Sequence, residues 1–463
     1  MTGRPSGYAR AAAEVLRDHP EVRASVSAAT RTFDEHRAAS YEAIDVEAWR
    51  EWAEGVKSHV LGGLDRYLEQ AETQLIAHGA TVHWAETGAE ALKVLGGIAH
   101  RHGVRRCVKA KSMLTEELGV NGYLEGLGVS VRETDLGEYI IQLLGEPPSH
   151  IVGPAIHRSV DDCRQLFHRE LGTPLDASPD ALAAAARGAL RDEFLGAELG
   201  ISGGNFLVAE TGTLALIENE GNIRLTTSLP RIHVAFVGIE KLLPRLADLA
   251  GFLQLTARAA TGQPIGNYVS LIQGPRRSDE PDGPEELHVV LVDAGRSRLL
   301  ADDEMWEALR CVRCGACLNL CPVFRQTGGH PYGFTYSGPI GSVLAPGFLG
   351  LEEALPLPFA STLCGACGDV CPVRIPLPRL LGVWRARAVA AGLTPALERR
   401  AMGAYASAAE RPHRFERLGD LLGSAPVRLA SRVLPVLRDW TAERGALEPS
   451  PRSFRALIRD GIE

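Results

Sequence analysis

The sequence lacks any long apolar run, and this absence argues against a helical membrane protein. No stretch of about 18 consecutive apolar residues occurs in the 463 residues. The N-terminal segment MTGRPSGYARAAAEVLRDHP also lacks the apolar core of a secretory signal peptide. The sequence therefore predicts a cytoplasmic protein without a transmembrane segment.

An excess of positive charge is absent too, since the formal net charge is −8 at pH 7. An acidic chain does not attract phosphate backbones, so nucleic acid is not an expected partner. No Gly-x-Gly-x-x-Gly fingerprint follows a predicted strand, and a bound dinucleotide or flavin therefore has no support. Hydrophobic residues make up 45% and charged residues 23%, the balance of a globular protein long enough for two or three domains.

Cysteine is concentrated in one short segment of the chain. Seven of the nine cysteines lie between residues 311 and 371, and the other two are Cys107 and Cys163. Their Cys-x2-Cys spacing and the missing signal peptide favour thiolate ligands in a reducing compartment over disulfides. Cys107 belongs to a strand pattern, which predicts a small buried hydrophobic residue there.

Two runs in this segment repeat an iron–sulfur motif. CVRCGACLNLCP at 311–322 has the full bacterial ferredoxin spacing C-x2-C-x2-C-x3-C-P. STLCGACGDVCP at 361–372 keeps the last three cysteines and the proline, but Ser361 stands where the first cysteine is expected. Zinc is the alternative, yet a structural zinc takes four ligands and fits seven cysteines poorly.

The spacing of the two runs predicts two 4Fe-4S clusters, because the fourth cysteine of each ferredoxin run ligates the other cluster. The first cluster takes Cys311, Cys314, Cys317 and Cys371, and the second takes Cys321, Cys364 and Cys367. The second cluster thus has three cysteines. Its fourth ligand is left open between Ser361, His330, Cys163, a partner's residue and water, and loss of that iron would leave a three-iron cluster. Arg313 and Arg374 either raise the cluster potentials or are surface charges.

Hydrophobic periodicity divides the chain into four parts. Residues 1–78 form an N-terminal helical segment, and in 79–300 short strands alternate with helices, which predicts an α/β domain with a largely parallel sheet. Residues 301–390 hold the cysteine runs, and 391–463 hold C-terminal helices and, from about residue 440, an irregular tail. The predicted strands are ATVHWA, RRCVKA, GVSVRETD, NFLVAE, TLALIE, IHVAFVG, NYVSLI and LHVVLVD.

Polar residues collect at the ends of strands in the predicted α/β domain. Ligands of α/β folds bind beyond the carboxyl ends of the strands, so these residues are candidates for a pocket. Each one taken alone is more typical of a helix cap or a turn. The candidates are Lys111, Glu133, Asp135, Glu138, Glu210, Thr211, Asn219, Glu220 and Asn222.

Six further segments, together with the cysteine runs, resemble the lactate utilisation protein B family of iron–sulfur proteins. The segments are KAKSM, ETDLGEYIIQ, PSHIVGPAIH, VAETGTL, NEGNIR and GIEKLLP. The resemblance implies a lactate-utilisation domain, similar in fold to sugar-phosphate isomerases and CoA transferases. It also implies an all-α helical ferredoxin domain like those of glycolate oxidase and succinate dehydrogenase. The family's second run lacks its first cysteine as well, so Ser361 does not indicate a damaged motif.

The resemblance also implies a function in lactate catabolism. The family works beside two partner proteins, and the three together oxidise L-lactate to pyruvate. The chain would then be the electron-transfer subunit of an NAD-independent L-lactate dehydrogenase complex. Two alternatives are that the chain binds the hydroxy acid and is itself the oxidoreductase, with the open iron as a Lewis acid, or that the clusters are only a structural scaffold. No catalytic residue is predicted.

Overall fold

The computed structural model of the chain describes residues 4–422, 454–459 and 461. Two compact units divide the chain, Met1–Arg387 and Ala388–Glu463, and everything that follows about sites concerns the first. No helix in the described ranges combines the length and the apolar character that a membrane crossing requires.

The N-terminal segment is helical, as predicted, but it is divided into four helices. These are α1 (Tyr8–Asp18), α2 (Pro20–Tyr41), α3 (Val46–Leu61) and α4 (Leu64–Ala77), preceded by a 3-10 turn at Pro5–Gly7. Pro20 begins α2, where its missing amide hydrogen costs nothing. Asp45 begins α3 by accepting a hydrogen bond from the amide of Ala48. Local capping chemistry therefore sets the breaks.

Ten strands follow, and they form two sheets. The strands are β1 (Thr81–Ala85), β2 (Arg106–Lys109), β3 (Ser130–Glu133), β4 (Leu199–Gly203), β5 (Phe206–Val208), β6 (Thr213–Glu218), β7 (Ile232–Gly238), β8 (Leu242–Leu243), β9 (Tyr268–Ile272) and β10 (Glu286–Val292). A six-stranded sheet has the order β1-β10-β7-β4-β2-β3, and all its neighbouring strands are parallel. The second sheet, β8-β5-β6-β9, is mostly antiparallel.

The predicted α/β class is confirmed, and the prediction of strands missed two of them. β4 lies in the middle of the parallel sheet, yet its sequence LGISG contains two glycines and lacks a strong strand signal. β8 has only two residues. The sequence also gives no sign that the strands separate into two sheets, because pairing depends on contacts between distant segments.

Nine helices accompany the strands between residues 88 and 300 in the described chain. They are α5 (Gly88–Arg101), α6 (Met113–Leu118), α7 (Val120–Gly126), α8 (Leu136–Leu144), α9 (Val160–Leu171), α10 (Pro179–Gly196), α11 (Asn222–Ser228), α12 (Leu246–Thr261) and α13 (Arg296–Leu300). A 3-10 turn at Ile239–Lys241 follows β7 directly. The polar ends of the parallel strands and these turns meet at one edge of the sheet.

The cysteine region and the chain after it contain helices and turns, without a strand among the described residues. The helices are α14 (Ala316–Asn319), α15 (Phe324–Thr327), α16 (Gly338–Leu349), α17 (Pro356–Phe359), α18 (Ala366–Asp369), α19 (Leu377–Ala390), α20 (Ala396–Ala409), α21 (Pro412–Leu422) and α22 (Phe454–Arg459). Short 3-10 turns lie at Trp306–Arg310 and His330–Tyr332. The irregular tail predicted from about residue 440 lies mostly outside the described residues, and α22 is helical within it.

One hydrophobic core joins the N-terminal helices, the second sheet and the cysteine loops. It includes Val26 of α2, Phe206 of β5 and Phe252 of α12, and it also includes Cys317 and Cys367. The cysteine region therefore shares its buried surface with the rest of the unit Met1–Arg387. This shared core holds the cysteines against the carboxyl edge of the parallel sheet.

Candidate functional site

Four of the predicted thiolate ligands surround one small cavity. Cys311, Cys314 and Cys317 come from the segment that leads into α14, and Cys371 follows α18. All four side chains are buried, and apolar residues that include Ile340, Ile375 and Leu377 complete the wall. Arg313 and Gly315 adopt left-handed backbone conformations, with φ of 62° and 78°, which lets the loop turn sharply around the cavity.

Backbone amides point at the sulfur atoms of this set. The amide of Arg313 donates to Cys311 Sγ at 3.4 Å, and the amide of Ile375 donates to Cys371 Sγ at 3.3 Å. Burial raises the pKa of Cys371 to about 11, although the amides of Ile375 and Val373 oppose that rise. Amide donors of this kind stabilise sulfur that carries negative charge, as metal-bound thiolate does.

The other three cysteines of the two runs lie near one another. Burial first, and then the neighbouring Cys321 and Cys364, raise the pKa of Cys367 to about 12. Cys364 likewise raises the pKa of Cys321, after the larger effect of burial. Cys321 and Cys367 are buried, whereas Cys364 is exposed. The chain thus brings together the two sets of thiols that the spacing predicts, and ligation itself stays a prediction.

The sulfur positions do not form the compact ligand group that a structural zinc requires. A tetrahedral zinc with Zn–S bonds of about 2.3 Å holds its sulfurs about 3.8 Å apart. Among the described residues, no group of three metal-ligating atoms within 4.8 Å of one another contains a cysteine. All nine cysteines are free thiols, so disulfides do not account for their clustering. The wider spacing of the sulfurs leaves room for a larger inorganic group.

The predicted candidates for the fourth ligand of the second set lie in different surroundings. Ser361 Oγ accepts a hydrogen bond from the amide of Leu363 at 3.1 Å, in the turn that leads to Cys364. Cys163 lies on α9, packed against the hydrophobic core of the α/β region and away from the cysteine loops. His330 Nε2 donates to the carbonyl of Pro147 at 2.8 Å, so this nitrogen is already engaged. Of these three, only Ser361 belongs to the cysteine loop itself.

The two arginines singled out beside the cysteines have different roles. Arg313 is buried, with a side chain that is 7% exposed, and its charge acts on Cys311. Arg374 lies at the surface, where it forms an ion pair with Glu47 of α3 at 3.1 Å. A charge screened by solvent has little effect on a buried group, so Arg313 is the one placed to influence the thiolates.

A larger cavity of about 310 Å³ lies at the carboxyl edge of the parallel sheet. Lys111 follows β2, Ser202 and Gly203 end β4, and Gly238 ends β7 along this wall. The opposite wall includes Val312, Arg313 and Cys314 of the first cysteine run. The cavity therefore lies between the expected ligand edge of an α/β fold and the first set of thiols.

Most of the predicted pocket residues are at this cavity. Lys111, Asp135, Asn219, Glu220 and Asn222 line it, whereas Glu133, Glu138, Glu210 and Thr211 do not. Glu210 accepts a hydrogen bond from the amide of Leu246 at the start of α12, and Thr211 bonds to the hydroxyl of Thr213. These two serve as a cap and a turn residue.

Glu133 and Glu138 belong to a buried charge network around Lys109 rather than to the cavity. Lys109 Nζ lies 2.8 Å from carboxylate oxygens of both Glu116 and Glu133, and Asn121 donates to Glu133 at 2.7 Å. Burial raises the pKa of Glu138 well above its usual range, and Glu133 and Glu116 raise it further. One lysine cannot neutralise the buried carboxylates of Glu133 and Glu138 together with the half-buried Glu116, so a proton remains on this group.

A second buried charge network, which was not predicted from the sequence, lines the cavity beside the cysteines. Arg296 donates to Glu240 at 2.8 Å and pairs with Glu117 at 2.8 Å, while Arg313 approaches Glu240 at 3.4 Å. Burial alone would raise the pKa of Glu240, but Arg296 and Arg313 outweigh it and lower the value to about 2. Burial and the nearby Arg313 lower the pKa of Lys241 to about 8. The sequence feature that could have indicated this network is the adjacent pair Glu240 and Lys241 within the apolar segment GIEKLLP.

Comparisons with known proteins match two family models to separate parts of the chain. Residues 68–292 match the LUD domain, and residues 307–375 match the 4Fe-4S dicluster domain. Lactate utilization protein B of Bacillus pumilus (strain SAFR-032) is 41% identical over 93% of this chain and 92% of its own length. The same protein of Geobacillus thermodenitrificans (strain NG80-2) is 42% identical over 89% of this chain and 88% of its own length.

Two further matches extend the comparison. The uncharacterized electron transport protein YkgF of Escherichia coli (strain K12) is 41% identical over 89% of this chain and 88% of its own length. A crystal structure of a DUF162 family protein from Deinococcus radiodurans covers 50% of this chain and 98% of its own, with 16% identity and a TM-score of 0.28.

Proposed function

Because the chain belongs to the lactate utilisation protein B family, we propose that it is the iron–sulfur electron-transfer subunit of a complex that oxidises L-lactate to pyruvate. The relatives' names and the dicluster match support the broader role in lactate utilisation and electron transfer. The complex would contain two partner subunits and would work without NAD. One observation carries the proposal: seven clustered thiols in two sets, one set around a cavity.

The seven cysteines would hold two 4Fe-4S clusters, which supply one-electron transfer when bound. The amides of Arg313 and Ile375 donate to thiolates of the first set, and the guanidinium of Arg313 balances their charge. Apolar side chains such as Ile340 and Leu377 exclude water around that set. The amides and the positive charge of Arg313 favour the more negative, reduced state of the cluster. Apolar burial favours the less charged, oxidised state, and the balance sets the reduction potential.

The exposure of the second set supports the proposal that it contacts a redox partner. Cys364 is exposed, and the neighbouring Leu363 is also exposed at 40%. Electron transfer between proteins requires a short approach, which an exposed ligand loop permits. Ser361 oxygen is the proposed fourth ligand of this set, with a partner's residue or water as the alternatives.

Electron paramagnetic resonance on anaerobically purified protein tests the proposal. Dithionite should reduce the clusters of the isolated chain, whereas L-lactate should reduce them only when both partner proteins are present. Clusters that resist reduction near physiological potentials would instead indicate a structural scaffold. Reduction by L-lactate without partners would make this chain the oxidoreductase and overturn the assignment as a pure electron carrier.

A further inference from the structure

We propose that the cavity at the carboxyl edge of the sheet binds a small monocarboxylate of the 2-hydroxy or 2-oxo acid class, with Arg313 and Lys241 holding the carboxylate. This inference rests on the proposed function and extends it, because it gives the iron–sulfur chain a binding site of its own. Both side chains line the cavity of about 310 Å³. Neither was selected as a pocket residue from the sequence.

The cavity wall contains a buried hydrogen-bond donor without a partner. Arg313 has a side chain that is 7% exposed, and its Nη2 lies 3.4 Å from Glu240. Its Nη1 is buried and makes no hydrogen bond to any described residue. The guanidinium stacks 4.4 Å from the ring of Tyr336, which also lines the cavity. A buried donor left unpaired costs free energy, and a carboxylate in the cavity would pair it.

Four cationic side chains line the cavity, and they differ in how many of their donors are used. Lys111 donates to the carbonyl of Val152 at 2.6 Å, and Arg296 is saturated by Glu117, Glu240 and a backbone carbonyl. Lys241 makes no hydrogen bond and no ion pair within the described part of the chain. Lys111 keeps unused N–H donors beyond this bond, but Arg313 Nη1 and Lys241 Nζ are the cationic groups of the cavity wall that make no hydrogen bond to any described residue.

The nearby Lys57 shows that unused donors are not the rule in this region. Lys57 is buried, whereas Lys241 is half-buried; Lys57 lies outside the cavity and donates to the backbone carbonyls of Glu240 and Leu242 at 2.5 and 3.2 Å. The chain thus satisfies a buried ammonium where no ligand can reach it. Lys241 is left without such carbonyls where the cavity begins.

The size and charge of the cavity narrow the class of ligand. A volume of about 310 Å³ is at the small end of ligand pockets, so a dinucleotide or a CoA thioester does not fit. Asp135, Glu218 and Glu220 line other parts of the wall and are held there by backbone amides. These carboxylates would repel a second negative charge on the ligand. A small monoanion is therefore favoured over a dicarboxylate.

Isothermal titration calorimetry on the full-length, iron-replete protein under nitrogen tests the inference. The probes are L-lactate and pyruvate, with neutral lactamide and dianionic malate for comparison. L-lactate or pyruvate should bind, and lactamide and malate should bind at least about tenfold more weakly, since a charged hydrogen bond is lost or a repulsion added. If neither L-lactate nor pyruvate binds, the inference is wrong, and Arg313 and Lys241 serve only as counter-charges of the thiolates.

Two variants locate the site. Lys241→Gln should weaken binding about tenfold or more at unchanged iron content, whereas Lys93→Gln, at an exposed position of α5, should leave it unchanged. Equal affinity in the two variants would overturn the placement. If Lys241→Gln fails to fold, thermal stabilisation of the unaltered protein by L-lactate and not by lactamide remains decisive.

The outcomes separate this inference from the proposed function. Clusters that accept electrons from dithionite in a protein that binds no carboxylate would contradict the cavity inference alone. Carboxylate binding by a protein with redox-inactive clusters would contradict the electron-transfer role alone. Addition of L-lactate should also change the line shape of the electron paramagnetic resonance signal of the reduced protein, because the cavity wall includes Cys314.

Discussion

Cys364 and Cys371 are close in the sequence, yet the fold places them in different sets of thiols. Cys371 lies at the cavity of Cys311, Cys314 and Cys317, whereas Cys364 lies with Cys321 and Cys367. This exchange of cysteines between runs follows from ferredoxin spacing, in which the fourth cysteine lies beyond the loop that wraps the first cluster. At the residue scale, a single substitution should therefore separate the two sets.

Cys371→Ala should remove the first cluster, and Cys364→Ala should disturb the second, because each thiolate serves a different set. Iron and sulfide content together with electron paramagnetic resonance of the reduced protein report which signal is lost. Cys163→Ala, outside both sets, is the control and should keep both signals. Loss of the same signal in Cys371→Ala and Cys364→Ala would contradict the exchange of ligands.

The buried carboxyl of Glu138 should make stability fall as the pH rises. Its pKa in the folded protein lies well above the ordinary value of 4.5, first because of burial and then because of Glu133 and Glu116. Above about pH 4.5 the unfolded chain releases this proton while the folded chain retains it, so the free energy of unfolding decreases with pH. Glu138→Gln keeps the shape of the side chain without a titrating carboxyl. It should therefore remove this contribution to the pH dependence of the unfolding free energy.

Urea unfolding near pH 5 and near pH 8 measures this effect. The difference in unfolding free energy between the two conditions should shrink by about 1 kcal/mol or more in Glu138→Gln, since one pKa unit corresponds to about 1.4 kcal/mol. Glu125→Gln, at an exposed position, is the matched control and should leave the slope unchanged. If the unfolding free energy changed equally with pH in Glu138→Gln and in the unaltered protein, Glu138 would not be protonated in the folded state.

At the scale of elements, β4 shows how glycine can place a strand where its propensity is poor. A Cβ atom on Gly200 would overlap the carbonyl oxygen of Thr226, at the end of α11 that packs on β4. The glycine therefore lets a helix backbone approach the central strand. The same strand ends in Ser202 and Gly203 at the cavity, so this close approach also fixes the cavity wall.

Gly200→Ala should destabilise the protein by about 1–3 kcal/mol or more, because the backbone of α11 must move away. Gly97→Ala is the matched change in the helix α5, where an added Cβ meets nothing within 4 Å. It should stabilise the protein by about 0.5–1 kcal/mol through higher helix propensity. Denaturant unfolding measures the stability of both variants. If Gly200→Ala were as stable as Gly97→Ala, the proposed close packing at Gly200 would be wrong.

Two arginines connect the N-terminal helices to the cysteine region. Arg50 of α3 donates to the carbonyls of Cys371 and Gly368 at 2.9 and 3.2 Å. Arg310, fully buried before the first run, pairs with Glu54 of α3 and donates to the carbonyl of Arg374. The helical segment thus holds both cysteine runs from one side.

At the scale of the whole molecule, one of the hydrophobic clusters of the unit Met1–Arg387 is shared by the thiols, the N-terminal helices and the second sheet. Val26, Phe206 and Phe252 pack in the same cluster as the cysteines. Metal binding and folding are coupled wherever ligands come from distant segments. Loss of an iron–sulfur cluster should therefore destabilise the sheet and the N-terminal helices as well as the ligand loops.

Cys314→Ala should lower the unfolding temperature of this unit as a whole. Differential scanning calorimetry under nitrogen should show the main transition shifted downward, without a separate transition left at the original temperature for the α/β region. Cys163→Ala should stay within a few degrees of the unaltered protein, since it leaves both sets intact. A Cys314→Ala protein with normal iron content would contradict the assignment of this ligand.

The sequence alone determined the features that depend on neighbours along the chain. Cysteine spacing predicts both ligand sets, periodicity predicts the helical character of the N-terminal segment and most strands, and motifs such as GIEKLLP point to the family. Such features depend on local covalent geometry, capping and side-chain period, and these act within a few residues.

Only the tertiary structure decided which distant residues meet. It placed glycine-rich β4 in the centre of the sheet, separated a second sheet, and joined Glu117, Glu240 and Arg296 in one buried network. It also brought Arg313 of the cysteine loop and Lys241 after β7 to the same cavity. A buried charge requires partners wherever they lie in the chain, so its surroundings are set by packing and not by spacing.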